Sequence, residues 1–248
     1  MRSWPYAGVV AHRGGGSLAP ENTLAAFEVG ARLGFKLAEC DVKLSADDEL
    51  FLLHDDTVDR TSDGHGAAAE LSYGAISGFD AGAWFDAKFA GERMPTLTEL
   101  SETLERLRMR VNLEIKPSPG REARTGTEVA VETARLWRDR TSPLLSSFSE
   151  EALAAAYAAV PQIARGLLVT RVPDDWQERT ERLKCESIHV AHTSLDEELV
   201  RAFKAAGLFV MAYTVNDLER ARALAAWGVD AICTDRIDSI GPAWSDLL

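Results

Sequence analysis

The feature that leaves this chain the fewest possible folds is an alternation. Short runs rich in leucine and β-branched residues recur at Val9–His12, Leu37–Leu44, Leu50–His54, Val111–Lys116, Leu144–Phe148, Ala164–Val169, Ser187–Ala191, Phe209–Val215 and Ala231–Thr234. Amphipathic stretches lie between most of them, at Thr23–Leu33, Thr96–Leu107, Thr127–Arg138, Glu150–Ala159, Asp174–Leu183, Leu195–Ala206 and Asp217–Trp227. Strands and helices alternating at this length build a parallel sheet through right-handed crossovers. Closed on itself, that sheet is a (β/α)8 TIM barrel, and 248 residues suit one domain of that size. Nine strands compete for eight barrel positions. The excess is resolved if Leu37–Leu44 and Leu50–His54 form an antiparallel hairpin.

A hairpin turning at Ala46-Asp47-Asp48-Glu49 would set Asp41 opposite His54. Glu39 and Asp41 stand two apart in an apolar run, so a strand aims both at one face. Two carboxylates buried on one face need a cation, either a metal ion or a basic side chain. Between His54 and Thr96 no clear crossover helix is readable. This stretch, with Asp63-Gly64-His65-Gly66 and Trp84-Phe85, is expected to be an insertion of about residues 56–94 packed near the barrel mouth.

Active sites of such barrels form at the C-terminal ends of the strands, and here those ends are loaded with polar residues. His12 and Arg13 end the first run, Glu39 and Asp41 lie on the second, His54 and Asp55 end the third, and Glu114 and Lys116 end the fourth. Glu39, Asp41 and Glu114 offer hard oxygen ligands, suited to Mg²⁺ or Ca²⁺ rather than zinc. Arg13 and Lys116 would hold an anion, and His12 and His54, titrating near neutrality, would serve as general acid and base. Together they describe metal-assisted phosphoryl transfer.

Charge narrows the partners. A net charge of -12 argues against nucleic acid and against an anionic membrane surface, because both are bound through basic faces. A small phosphodiester remains admissible, since screening limits the reach of distant surface charges to about 8–10 Å. No apolar run is long enough to span a bilayer, and no signal-peptide pattern precedes the first strand, so a cytoplasmic location is expected. Cys40, Cys185 and Cys233 are widely spaced in apolar runs and read as buried free thiols. Oligomeric state is not readable.

The ordered motifs His12-Arg13-Gly14, Pro20-Glu21-Asn22-Thr23, Glu39-x-Asp41-Val42, His54-Asp55, Glu114-Ile115-Lys116, Tyr213-Thr214-Val215-Asn216 and Thr234-Asp235 resemble the glycerophosphodiester phosphodiesterase family across nearly the whole chain. The resemblance implies a phospholipase C-like TIM barrel hydrolysing deacylated phospholipids, such as glycerophosphocholine, to sn-glycerol 3-phosphate and an alcohol. It implies His12 and His54 as the acid/base pair, Glu39, Asp41 and Glu114 as metal ligands, and Arg13 and Lys116 as phosphate binders. Two segments depart from the family pattern. Tyr213 stands where tryptophan is common, and Ser146-Ser147-Phe148 replaces a segment often carrying glutamine. Tyr213 and Phe148 are candidate substrate contacts or barrel packing. Alternatives are a lysophospholipase D or cyclising phospholipase on the same site, an enolase-like metal barrel, and a non-catalytic phosphate-binding barrel.

Overall fold

In a computed structural model, describing residues 4–248, all nine apolar runs form strands. They are β1 (Val9–Ala11), β2 (Leu37–Leu44), β3 (Leu50–Leu52), β4 (Arg110–Ile115), β5 (Leu144–Ser147), β6 (Arg165–Val169), β7 (Ser187–Ala191), β8 (Phe209–Tyr213) and β9 (Ala231–Thr234). Eight of them pair in parallel in the order β1, β2, β4, β5, β6, β7, β8, β9, and β9 returns to β1, closing a TIM barrel. β3 is the surplus strand and runs antiparallel to β2. It fits there because β1 stops at Ala11, which pairs with Ala38, so the later part of that edge of β2 is free.

The hairpin register differs from expectation by one. Val42 faces Leu52 and Leu44 faces Leu50, so Asp41 does not pair with His54. The turn has three residues rather than four. Asp48 adopts a left-handed backbone (φ 64°), and Ser45 N–H closes on Glu49 O at 3.0 Å. Leu53 N–H still donates to Asp41 O at 3.1 Å, which carries the chain past Asp41 and brings His54 to the barrel mouth.

The helices are α1 (Leu24–Arg32), a short α2 (Tyr73–Ile76) inside the insertion, α3 (Leu97–Leu107), α4 (Glu122–Leu136), α5 (Glu150–Ala159), α6 (Trp176–Arg182), α7 (Glu197–Ala205) and α8 (Leu218–Ala226). Their starts are set locally. The Thr23, Ser149, Asp196 and Asp217 side chains each accept from a first-turn N–H, and Thr96 with Glu99 forms a reciprocal capping box. α4 begins five residues earlier than its apolar pattern indicates. Gly126 lies within it because a Cβ there would sit 2.2 Å from Ala152 O, so the glycine permits close packing of α4 on α5 rather than marking a boundary.

Every residue of β2 is buried, its outward face by helices and its inward face by the barrel interior. Val10, Leu37, Leu144, Met211, Ala231 and Cys233 fill the barrel with Trp4, Tyr6 and Ala7 packed against them, plugging its N-terminal end. The insertion has a smaller apolar cluster of its own. Val58, Ala68, Ile76, Ala81 and Met94 pack on Phe51 and Leu53 and fasten it to β3 beside the mouth. Among the described residues no helix is long and apolar enough to cross a membrane.

Candidate active site

All nine residues singled out from the sequence line one cavity of about 150 Å³ at the C-terminal end of the barrel. Asn112, His189, Met211 and Cys233 contribute to the same lining. Glu39 and Asp41 come from β2 and Glu114 from β4, whose register sets Asp41 directly beside Glu114. Carboxylate oxygens of the three lie within 4.8 Å of one another, and all three residues are buried. The arrangement satisfies what a hard divalent cation requires of a protein, several oxygen donors converging from rigid strands.

Electrostatics point the same way. Burial, followed by the charge of Asp41, pushes the Glu39 carboxyl up to about 8. The same causes push Glu114 up to about 7. Burial also opposes ionisation of Asp41, but Arg13 above all, with His54 and Lys116, outweighs it and holds Asp41 below the usual carboxylate range. Only at Asp41, of the three carboxylates, do the protein's own cations outweigh burial. A second set, His12, Glu39 and Cys233, also lies within 4.8 Å, but burial drives the Cys233 thiol well up, so it is a poorer ligand set than the all-oxygen group.

The cationic side chains arch over the acids. Arg13 Nε is 3.6 Å from Asp41 Oδ2, and Lys116 Nζ is 3.0 Å from Glu114 Oε1 and 3.9 Å from Asp41 Oδ1. Arg13 takes a left-handed backbone (φ 50°), uncommon for a non-glycine residue, and its N–H donates to Glu39 Oε2 at 3.1 Å. Asn22 is also left-handed (φ 59°). Its amide donates to Asp41 Oδ2 at 2.9 Å while its carbonyl accepts from Asp41 N–H at 3.2 Å, which fixes that carboxylate.

Each imidazole is held by a carboxylate. His12 Nδ1 lies 2.5 Å from Asp235 Oδ1, and His54 Nδ1 lies 2.6 Å from Asp55 Oδ1. An ionised carboxylate only accepts, so both Nδ1 atoms carry the proton, and in the neutral ring each Nε2 is the unprotonated nitrogen. Asp235 is oriented in turn by Asn216, whose amide donates to Oδ2 at 2.9 Å and whose carbonyl accepts from Asp235 N–H at 2.9 Å. Burial lowers the His54 pKa despite Asp41 and Asp55. Burial also opposes charge on His12, but there the hydrogen bond to Asp235 wins and raises it.

Phe148, 45% exposed, meets Tyr213 edge-on with ring centroids 6.0 Å apart, and Lys116 Nζ sits 5.6 Å above the Phe148 ring. The Tyr213 hydroxyl donates to Val169 O at 3.0 Å, so what it shows the cavity is its ring rather than a donor. Beside His54, Glu114, Lys116 and Phe148 a second opening of about 610 Å³ continues outward past Asp55, Asp56 and Ser149.

From the sequence alone Asn22 is a candidate cap of the first helix and Asn216 opens the last one, and neither they nor Glu21 and Asp235 have a part in the site. Asp235 carried the same signal as the others, a polar residue ending an apolar run. Asn112 stands two before Glu114 on the same strand face. His189 sits inside an apolar run, and only the alternation Ser187, His189, Ala191 hints that it points inward.

Comparison with known proteins agrees with this geometry. The model of the Glycerophosphoryl diester phosphodiesterase family matches residues 12–239. A glycerophosphodiester phosphodiesterase of Caldanaerobacter subterraneus subsp. tengcongensis is 34% identical over 232 residues, covering 92% of this chain and 93% of that relative. The structure of an Oleispira antarctica phosphodiesterase in complex with the product sn-glycerol-3-phosphate superimposes with a TM-score of 0.87 at 38% identity, covering 93% of each chain. That of an Agrobacterium tumefaciens glycerophosphodiester phosphodiesterase gives 0.77 at 30% identity, over 94% of this chain and 97% of the other. With its barrel closed in the same way and its polar strand ends gathered round one cavity, the chain belongs to the glycerophosphoryl diester phosphodiesterase family.

Proposed function

We propose that the chain hydrolyses glycerophosphodiesters, glycerophosphocholine among them, to sn-glycerol 3-phosphate and an alcohol, with Mg²⁺ or Ca²⁺ as cofactor and His12 and His54 exchanging protons with the reacting oxygens. The observation that carries the reading is the convergence of two carboxylate-held imidazoles, three carboxylates, a guanidinium and an ammonium on one cavity. The product found with the Oleispira relative has the chemistry expected of that cavity, a phosphomonoester with vicinal hydroxyls.

Glu39, Asp41 and Glu114 would hold the cation. When bound, it polarises a substrate hydroxyl and offsets negative charge on the phosphoryl oxygens. Arg13 and Lys116 bind the non-bridging oxygens and fix the phosphorus between the histidines. The glycerol hydroxyl next to the phosphodiester attacks phosphorus and gives its proton to one histidine. The phosphorus–oxygen bond to the alcohol breaks as the other histidine protonates the departing oxygen. A cyclic phosphate results, and water opens it with the two histidines exchanging roles. The Phe148 and Tyr213 rings supply a flat wall for the glycerol carbons, and the opening beside His54 gives the alcohol room to leave.

Three buried, unpaired cysteines support a reducing, cytoplasmic setting, and the net charge of -12 supports a small-molecule substrate rather than nucleic acid. The test is incubation with glycerophosphocholine and Mg²⁺ or Ca²⁺, with a chelator control, measuring released glycerol 3-phosphate. Turnover that persists in chelator would remove the metal from the reading. No turnover with either ion, or with lysophospholipid accepted in its place, would remove the substrate.

A further inference from the structure

We propose that Arg60, supplied by the insertion, is a positioning residue that holds His54 in its working orientation by acting through Asp55. This rests on the reading of His54 as a proton-transfer group.

The Arg60 guanidinium grips two carboxylates at once. Its Nε and Nη2 donate to Asp55 Oδ2 and Oδ1 at 2.6 and 3.0 Å, and its Nη1 and Nη2 donate to Glu21 Oε2 and Oε1 at 2.8 Å each. Beyond those carboxylates stand two groups of the cavity. Asp55 Oδ1 is 2.6 Å from His54 Nδ1, and Glu21 Oε1 is 2.6 Å from Arg13 Nη1. Arg60 is 45% exposed, and an ion pair that open ordinarily contributes little. Two features set this one apart. Both carboxylates are held in the fork geometry that only a planar guanidinium offers, and each already holds a side chain that faces the substrate.

The two arms are not equivalent. Arg13 has other anchors, because its N–H bonds Glu39 and its Nε faces Asp41. His54 sits just past the three-residue β3, and its ring hydrogen-bonds the Asp55 side chain. Asp55 lies on the same loop, so by itself it would rotate together with the imidazole it should fix. Arg60 ties it across to Glu21, on the loop leading into α1, and turns a local contact into a brace between two walls of the mouth. The insertion thereby completes the site without lining its floor.

The test compares kcat and KM on glycerophosphocholine, at saturating cation, for the wild type, Arg60→Ala, Arg60→Lys, Asp55→Asn and the Arg60→Ala/Asp55→Asn double variant, with thermal melts confirming the fold. The expected result is a roughly ten- to hundredfold loss of kcat in Arg60→Ala with KM within about threefold, as for small misplacements of a reacting group. Arg60→Lys should recover part of the loss, and the double variant should be no slower than the slower single one. A kcat for Arg60→Ala within about twofold of wild type, a change confined to KM, or losses that multiply in the double variant would overturn the proposal. Side-chain nitrogen NMR of the imidazoles gives a readout independent of turnover. His54 should lose its single Nδ1-protonated form in Arg60→Ala while His12 keeps its own, and an unchanged His54 signal would count against the brace even if glycerophosphocholine proved not to be a substrate.

Discussion

Binding of the divalent cation should be strongly pH-dependent, because the cation must displace protons that the buried site retains near neutrality. Burial and Asp41 push Glu39 up to about 8 and Glu114 up to about 7, whereas a metal ion takes both as carboxylates. Between pH 9 and pH 6 the Glu39 proton then weakens apparent affinity by roughly a hundredfold and the Glu114 proton by roughly tenfold, together on the order of a thousandfold or about 4 kcal/mol. The linkage has a definite sign. Both carboxyls titrate higher in the folded apoprotein than in the unfolded chain, so their contribution to its stability is full below the ordinary carboxylate pKa and is lost as pH rises through 7 and 8. A cation binding the ionised pair should therefore raise the melting temperature more at pH 9 than at pH 6. Calorimetric titration of the apoprotein with Mg²⁺ or Ca²⁺ at several pH values, in buffers of different ionisation enthalpy, reads both the affinity and the protons released. An affinity that changes by less than about threefold across this range, with no proton release, would refute the assignment of Glu39 and Glu114 as ligands.

Other consequences are read by kinetics and melting. His12→Ala and His54→Ala should each lower turnover by roughly 10² to 10⁴ with little change in melting temperature, and near-normal turnover in either would end its role in proton transfer. Glu114→Gln keeps the side chain's shape and removes one charged ligand, so the cation concentration giving half-maximal activity should rise, and an unchanged requirement would take Glu114 out of the ligand set. Gly16→Ala places a Cβ 2.2 Å from Asp235 O at a φ of +52°, so it should displace the carboxylate that holds His12. A loss of about 1–3 kcal/mol in stability together with reduced kcat is expected, and a variant as active and stable as wild type would show that the Asp235 contact is dispensable.

What could be read from the chain beforehand was what rests on periodicity. Apolar runs bounded by helices located every barrel strand, because burial on both faces leaves an unmistakable pattern, and polar residues ending those runs pointed to the mouth. What could not be read depends on single contacts. The hairpin register turned on Asp48 accepting a left-handed backbone, and the start of α4 on Gly126 touching Ala152. Arg60 is the sharpest case, since nothing in Val58-Asp59-Arg60-Thr61 distinguishes it from any surface arginine until folding sets Glu21 and Asp55 on either side.

That division has a physical origin that bears on how the site works. Strands place the groups we propose to converge on a cation and a phosphate, and strand positions repeat every second residue, so Glu39, Asp41 and Glu114 announce themselves by spacing. The carboxylates that hold the imidazoles, and the side chains linked to those carboxylates, come instead from loops that meet only in three dimensions: Asp235 after β9, Asn216 after β8, Asp55 and Arg60 after β3, Glu21 before α1. Ligands built on a rigid barrel tolerate drift in the loops, but proton transfer does not, because it requires an imidazole within hydrogen-bonding reach of a moving oxygen. Loop variation in a barrel of this kind should therefore alter turnover sooner than cation binding. The Arg60 and Glu114 variants test that separation directly, one expected to change kcat at constant cation requirement and the other to change the requirement itself.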